Sequence, residues 1–133
     1  LKKEALVVLE STVPPHFTED KLVPVLEQGG LKAGEDFYVA HCPERVLPGR
    51  IIDELVHNNR IVGGLNQKSC ERAKQLYQCF TKGEIVCADP TTAELCKLME
   101  NTYRDVNIAL ANELAQLCED SGADAWQVIA LAN

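Results

Sequence analysis

Short apolar runs alternate with helical patterns along the first two-thirds of the sequence, and this alternation constrains the fold more than any other feature. The runs are at residues 5–9, 37–40, 60–63 and 84–87. The first is apolar throughout, which is typical of a strand that is covered on both faces of a parallel sheet. We therefore expect right-handed βαβ units and a parallel sheet, with ligands bound outside the carboxyl ends of its strands.

Helical patterns separate these runs, at residues 18–28, 51–57 and 69–80. The first is closed by Gly29 and Gly30, and Pro24 within it predicts a kink or a late start. The third has Ser69 in the position of an N-cap, because a serine side chain satisfies a free amide of the first helical turn.

A longer helical pattern covers residues 92–119, with apolar side chains in one broad sector that is predicted to face a core. These side chains are Leu95, Met99, Tyr103, Val106, Leu110, Leu114 and Leu117. Lys97, Asn101 and Arg104 lie nearly opposite, at spacings of four and three. A solvated helix face is the simpler interpretation of this polar group. The alternative is a binding surface for an anionic substrate.

The second half of this helix is apolar almost all round, since the polar sector continues as Ile108, Ala111 and Ala115. A helix of that kind is covered on both sides. We expect the cover to be either a further domain or a second copy of the chain.

Composition excludes some classes of partner. The formal charge of −7 and the pI near 4.9 make nucleic acid or an anionic membrane unfavourable as a general partner. No apolar run approaches the roughly 20 residues that cross a bilayer, and no secretory signature opens the sequence. A cytoplasmic protein is the expectation.

The six cysteines show no C-x-x-C pair and no spacing typical of zinc sites. They are Cys42, Cys70, Cys79, Cys87, Cys96 and Cys118. We expect free and mostly buried thiols in a reducing compartment, because several fall within apolar patterns of an ordinary core.

Two loops at predicted carboxyl ends of strands carry candidate functional groups. The sequence Glu-Ser-Thr-Val-Pro-Pro sets the hydroxyls of Ser11 and Thr12 after the first run. The sequence Pro-Glu-Arg-Val-Leu-Pro-Gly sets Glu44 and Arg45 on a rigid turn after the second. Taken alone, the two hydroxyls are more typical of a turn after a strand, and Glu44 with Arg45 is more typical of a surface ion pair.

In their order and spacing, ESTVPP, PERVLPGR, RIVGG and AELCKLMENTYRDVNIALANELA resemble the nucleotide-sugar 6-dehydrogenase family, which includes UDP-glucose and GDP-mannose dehydrogenases. The resemblance covers essentially the whole chain. It implies an α/β fold in which residues 1–90 are the C-terminal part of an NAD-binding, Rossmann-like, parallel-sheet domain. Residues 91–133 would then be the start of a central all-α dimerisation domain.

Enzymes of this family oxidise the C6 alcohol of a nucleotide sugar twice, with two NAD and a cysteine thioester, to give a uronic acid. The resemblance implies that Thr12 lies beside the nicotinamide and orders the catalytic water, and that Ser11 contacts the cofactor. It implies that Glu44 acts as a general base or orients water. Arg45 and Val46 would hold the substrate.

The helix motif adds a second group of implied roles. Lys97 would stabilise the oxyanion of the tetrahedral intermediates, a role for which a fixed cation is suited. Asn101 would act beside it, and Asn101 and Arg104 would bind substrate. PERVLPG and ENTYRDVNIALANEL favour UDP-N-acetyl-D-mannosamine, with UDP-N-acetylglucosamine and UDP-glucose as alternatives. The resemblance further implies a homodimer through the long helix, a role in polysaccharide biosynthesis and no metal.

Two parts of the family pattern are not found in the sequence: the G-x-G-x-x-G dinucleotide turn and the glycine-rich segment with the nucleophilic cysteine. Gly63 and Gly64 do not open a phosphate-binding turn between strand and helix. Cys96 points about 100° away from Lys97 on the helix. We therefore expect a fragment with no dehydrogenase activity by itself. The alternative from another class is a non-catalytic α/β interaction module that dimerises through its long helix.

Overall fold

A computed structural model describes residues 1–46 and 49–132, which form two compact units, residues 1–98 and 99–133. The strands are β1 (Leu6–Leu9), β2 (Tyr38–His41), β3 (Arg60–Gly64) and β4 (Ile85–Ala88). The helices are α1 (Val23–Glu27), α2 (Ile51–His57), α3 (Gln67–Gln78), α4 (Pro90–Asp120) and α5 (Ala125–Ala132), and a π-helical turn (Thr18–Leu22) precedes α1. The predicted domain boundary at residue 90 stays a prediction.

The first unit contains a four-stranded sheet in the order β1-β2-β3-β4. The pairs β1–β2 and β3–β4 are parallel, as predicted, but β2 and β3 are antiparallel, with His41 opposite Gly63. The expectation of a wholly parallel sheet was therefore wrong for one pair. An apolar run indicates burial on both faces of a sheet but does not fix the direction of the strand.

This topology puts the carboxyl ends of β1 and β2 at one edge of the sheet and those of β3 and β4 at the opposite edge.

Each strand lies within one or two residues of its predicted position, and α2 has the predicted bounds. The late start that Pro24 predicted is confirmed, since α1 begins at Val23. Ser69 is not the N-cap of α3. The N-cap is Asn66, whose side chain accepts a hydrogen bond from the Ser69 amide.

The core of the first unit lies between α3 and the sheet. Val62, Ala73 and Tyr77 are buried there with other side chains of β2, β3 and α3. Gly63 lets α4 approach β3 closely, since a Cβ at Gly63 would stand 2.7 Å from the Cβ of Ala93. The close approach explains a glycine inside a buried strand.

The cysteine expectations need correction. Cys70 and Cys87 form a disulfide between α3 and β4, where their Cα atoms are 6.1 Å apart. No local pattern indicates this pair, because residues 17 apart in sequence meet here only through the packing of a helix on a strand. Of the four free cysteines only Cys42 is buried.

The second unit consists of the later part of α4 and of α5. Gly122, with a φ of 71°, ends the turn after α4. The apolar sector predicted to face a core is exposed in this chain, with Tyr103 74% and Leu117 61% accessible. That prediction was wrong for the chain by itself, since these side chains stay largely exposed even where Leu114 and Leu117 line a cavity together with α5. Among the described residues, no helix has the length and apolar character that a membrane crossing requires.

Candidate active site

The two predicted loops meet at the edge formed by the carboxyl ends of β1 and β2. The Cys42 amide donates a hydrogen bond to the Leu9 carbonyl (2.9 Å), and the Glu44 amide donates one to the Glu10 carbonyl (3.4 Å). Backbone hydrogen bonding between the two segments thus continues past the strands, by one residue after β1 and by three after β2. It sets the segment that carries Ser11 beside the segment that carries Glu44.

Ser11 and Thr12 are exposed at this edge. Neither hydroxyl has a hydrogen-bond partner among the residues that the structure describes. Two free hydroxyls beyond the carboxyl end of a strand stand where α/β proteins bind ligands.

Glu44 and its neighbours form a short half-buried segment. One carboxylate oxygen of Glu44 accepts a hydrogen bond from the Val46 amide. This bond holds the carboxylate against the backbone two residues further along the chain. A small cavity lies at this point, and its lining includes Glu44, Arg45, Val46, Glu54 and Arg60. Leu47 and Pro48, the middle of the predicted motif, lie outside the described residues.

A partly buried polar network supports this edge, and sequence reasoning missed it. The Tyr77 hydroxyl donates a 2.6 Å hydrogen bond to the carboxylate of Glu10. The Arg60 guanidinium lies 4.7 Å from the Tyr77 ring centroid and donates to Thr81. Burial, and then the hydrogen bond to Glu10, raise the pKa of the Tyr77 phenol. The phenol therefore stays protonated and acts as a donor.

Cys42 lies in the same network, with its sulfur 4.0 Å from the Arg60 guanidinium. Burial raises the pKa of the Cys42 thiol above its ordinary value. A thiol in such surroundings is a poor nucleophile. Cys42 is therefore a core residue rather than a reactive cysteine.

Lys97 lies half-buried in the second turn of α4, within the first unit. Its ammonium has no ion-pair or hydrogen-bond partner in the described part of the chain. It does not line the small cavity beside Glu44. The roles that the family resemblance implies for Lys97 and Glu44 in one active site stay predictions.

Asn101 and Arg104 follow on the same helix, in the part that belongs to the second unit. Asn101 is half-buried. Arg104 is exposed and pairs with Glu100 at 3.2 Å, an i,i+4 contact of the kind expected for a solvated face. Because α4 is continuous, positions 97, 101 and 104 share one side of it, as the spacing predicted.

A second buried group that sequence reasoning missed surrounds Glu94. Its Oε1 atom accepts hydrogen bonds from the amide (2.8 Å) and the hydroxyl (2.6 Å) of Thr18. Glu94, Thr18 and His41 are all fully buried. Burial lowers the pKa of His41, and the charge of Glu94 partly offsets this. The only sign of this buried group in the sequence was a glutamate three residues before Lys97.

Among the described residues, no group of three or more His, Cys, Asp and Glu side chains could hold a metal ion.

Two family models match the chain. The NAD binding domain of the UDP-glucose/GDP-mannose dehydrogenase family matches residues 1–81, and the central domain of that family matches residues 91–133. The chain belongs to the UDP-glucose/GDP-mannose dehydrogenase family. The predicted family and the predicted α/β fold class are both confirmed.

Within the family, the chain is similar to curated UDP-N-acetyl-D-mannosamine dehydrogenases. That of Pyrococcus horikoshii is 54% identical over 134 residues, covering 100% of this chain and 32% of the relative. That of Methanococcus vannielii is 52% identical over 128 residues, covering 96% of this chain and 28% of the relative. The chain thus spans about 30% of the length of the relatives it matches.

Solved structures show the same likeness. The UDP-N-acetyl-mannosamine dehydrogenase Cap5O from Staphylococcus aureus superposes with a TM-score of 0.93 at 52% identity. The superposition covers 100% of this chain and 32% of that one. The mixed sheet and the long helix are therefore also the architecture of a known dehydrogenase.

Proposed function

We propose that the full-length protein containing this chain is an NAD-dependent dehydrogenase that oxidises the C6 alcohol of UDP-N-acetyl-D-mannosamine to the uronic acid in two steps. One observation carries the proposal. Two family motifs, 34 residues apart in sequence, meet at one sheet edge through the hydrogen bond from the Glu44 amide to the Glu10 carbonyl. The names of the relatives support this substrate, and UDP-N-acetylglucosamine and UDP-glucose are the alternatives.

The residues at this edge fit an NAD cofactor. Ser11 and Thr12 offer two exposed hydroxyls beyond the carboxyl end of β1, a usual place for a nucleotide in an α/β fold. When bound, NAD accepts a hydride from C6 of the sugar. Thr12 would hold the catalytic water beside the nicotinamide, and Ser11 would contact the cofactor.

Glu44 and its neighbours would handle the proton and the sugar. The Glu44 carboxylate, oriented by the Val46 amide, would take a proton from the reacting hydroxyl or orient the water. Arg45 and Val46 would bind substrate beside it. An oriented carboxylate is effective because it needs no reorganisation at the moment of proton transfer.

Lys97 would stabilise the negative charge that develops on the substrate oxygen. Its ammonium has no protein partner in the described chain, so it is available to an anion. A donor of this kind is worth about 3 to 4 kcal/mol in a dry site. Asn101 would assist it, and Asn101 and Arg104 would bind the substrate.

We also propose that the protein is a homodimer through the long helix. The apolar residues exposed along α4 and α5 support this, since monomers rarely expose large contiguous apolar patches. The cavity between the two helices is lined almost entirely by apolar side chains, among them Leu114, Val128 and Ile129. Sedimentation of the full-length protein as a monomer at high concentration would contradict this proposal.

The function is tested by incubating the purified full-length protein with NAD and a panel of UDP-sugars and following the formation of NADH and of the uronic acid. We expect UDP-N-acetyl-D-mannosamine to have the highest kcat/KM and two NADH to form per sugar. The 133-residue chain by itself is expected to be inactive. Absence of turnover of every UDP-sugar by the full-length protein would favour a non-catalytic interaction module.

A further inference from the structure

Glu94 connects two segments that carry candidate reaction residues. Its Oε1 atom accepts two hydrogen bonds from Thr18, which begins the π-helical turn after the Ser11–Thr12 loop. Glu94 itself lies in the first turns of α4, three residues before Lys97. Because Glu94 and Thr18 are both fully buried, water does not compete for these hydrogen bonds.

Further contacts hold the same two segments together. The Thr91 hydroxyl lies 3.1 Å from the ring Nδ1 of His16 and donates to the carboxylate of Glu19 at 3.1 Å. His16 directly follows the two prolines of the loop and has a φ of 66°, in the left-handed region. The end of the loop is therefore attached to the first turn of α4 at several points. The contact from Glu94 is the buried one among them.

The start of α4 is also fixed against the sheet. Ala93 packs on β3 at Gly63, which pairs with His41 of β2. His41 is fully buried and stands three residues before Glu44. Glu94 is thus set between the loop after β1 and the strand that leads to Glu44.

The position of Glu94 determines that of Lys97. Residues three apart in an α-helix are separated by about 4.5 Å along the axis and by about 60° around it. A shift or a rotation of the first turn of α4 therefore moves the ammonium of Lys97 by a similar amount. A displacement of about 1 Å in a reacting group can cost 100-fold in rate.

We propose that Glu94 is a positioning residue for the reaction: through its hydrogen bonds to Thr18 it holds the helix turn of Lys97 in register with the loop of Thr12. This inference rests on the proposed function of Lys97. Glu94 touches neither substrate nor cofactor in this account. Its effect on the reaction passes through Lys97.

A double-mutant cycle in the full-length protein tests this, with UDP-N-acetyl-D-mannosamine and NAD as substrates. Glu94→Ala is expected to lower kcat about 10- to 100-fold, with the KM for NAD changed about twofold or less. In a Lys97→Ala background the same change is expected to lower kcat by about twofold or less, because residues that act through one another are not additive. Glu94→Gln keeps an acceptor oxygen for Thr18 and is expected to retain kcat within about threefold of the parent.

Ser69→Ala is the matched control, since Ser69 is also fully buried in the first unit and accepts a hydrogen bond from the Val39 amide. Its effect on kcat is expected to be the same factor with and without Lys97. The inference is overturned if Glu94→Ala behaves like this control, or if Glu94→Gln loses as much activity as Glu94→Ala. If Glu94→Ala does not fold, Thr18→Val takes its place in the cycle.

Failure of the proposed role of Lys97 gives a different result. Lys97→Ala would then turn over at the parental rate, and this would overturn the positioning role of Glu94 as well. If Lys97→Ala has a much lower kcat, and Glu94→Ala lowers kcat by the same factor with and without Lys97, the proposed function stands. Only the positioning role of Glu94 is then overturned.

Discussion

The carbonyl oxygen of Glu10 accepts a hydrogen bond from the backbone amide of Glu44, at an N···O distance of 3.4 Å. The bond continues the ladder between β1 and β2 past the end of both strands. It brings the hydroxyl-bearing loop and the carboxylate-bearing loop together through their backbones. The backbone positions the candidate site and leaves Ser11 and Thr12 free for a ligand.

Removal of the Tyr77 hydroxyl should loosen this edge. Tyr77→Phe keeps the ring on Arg60 but leaves the Glu10 carboxylate without its 2.6 Å donor. We expect a loss of about 0.5 to 1.5 kcal/mol in the free energy of unfolding, because Glu10 is exposed and water can replace the lost donor. We also expect kcat/KM for NAD to fall about tenfold, since Glu10 precedes the cofactor loop. Urea unfolding and steady-state kinetics of the full-length protein measure both.

Tyr38→Phe is the control for that change. Its hydroxyl also donates to a glutamate, Glu4, but at the amino end of β2 (3.1 Å). It should leave kcat/KM for NAD close to the parental value. Equal losses of kcat/KM in both variants would contradict a specific role of Tyr77.

The disulfide between Cys70 and Cys87 should stabilise the first unit. Cross-linking residues 17 apart stabilises a fold by about 3 kcal/mol through the entropy of the unfolded chain. A reductant, or Cys87→Ser, should therefore lower the unfolding midpoint, whereas Cys79→Ser should not, because Cys79 is exposed and unpaired. Alkylation of all six cysteines in the denatured, unreduced protein, read by mass spectrometry, would show that the bond does not form.

His41 should make the fold sensitive to acid. Burial lowers the pKa of His41 in the folded chain below the ordinary 6.5. As the pH falls below 6.5, the His41 imidazole therefore takes up a proton in the unfolded chain while it stays neutral in the folded chain. The contribution of neutral His41 to the free energy of unfolding is therefore fully present above pH 6.5. Below pH 6.5 the free energy of unfolding decreases by at most about 1.4 kcal/mol per pH unit through this group. In His41→Phe, the decrease in urea midpoint between about pH 7.5 and about pH 5.5 should be smaller than in the parent. An equal decrease in both proteins would contradict this assignment.

Gly63 should not accept a side chain. A Cβ there would lie 2.7 Å from the Cβ of Ala93 and 2.8 Å from the Cα of Pro90. Gly63→Ala should lower the free energy of unfolding by about 1 to 3 kcal/mol, as overpacking does. Gly29→Ala has no atom within 4 Å of the new methyl group and should be close to neutral. Thermal unfolding of the two variants separates crowding at α4 from the general effect of replacing a glycine.

Much of the fold was accessible from local patterns. The apolar runs placed all four strands, and the bounds of α2 were predicted to the residue. The direction of β3 was predicted wrongly, because a buried apolar run has the same pattern in either strand direction. Ser69 was misassigned as a cap because Asn66, three residues earlier, is an equally good cap and begins the helix one turn sooner.

The roles of the site residues, which the family resemblance implied, stay predictions. Their placement follows from the strands that precede them, since the topology brings Ser11, Thr12 and Glu44 to one edge of the sheet. The contacts that hold this edge join residues far apart in sequence, such as Glu10 with Tyr77 and Thr18 with Glu94. A single sequence gives no sign of such pairs, because each member alone resembles an ordinary surface residue.

The role of Lys97 is the central claim, and the kcat of the full-length Lys97→Ala variant with UDP-N-acetyl-D-mannosamine and NAD tests it most directly. We expect kcat to fall about 100- to 1000-fold, the cost of removing one oxyanion donor, while the protein folds and binds NAD as the parent does. A Lys97→Ala enzyme that turns over at the parental rate would contradict the account.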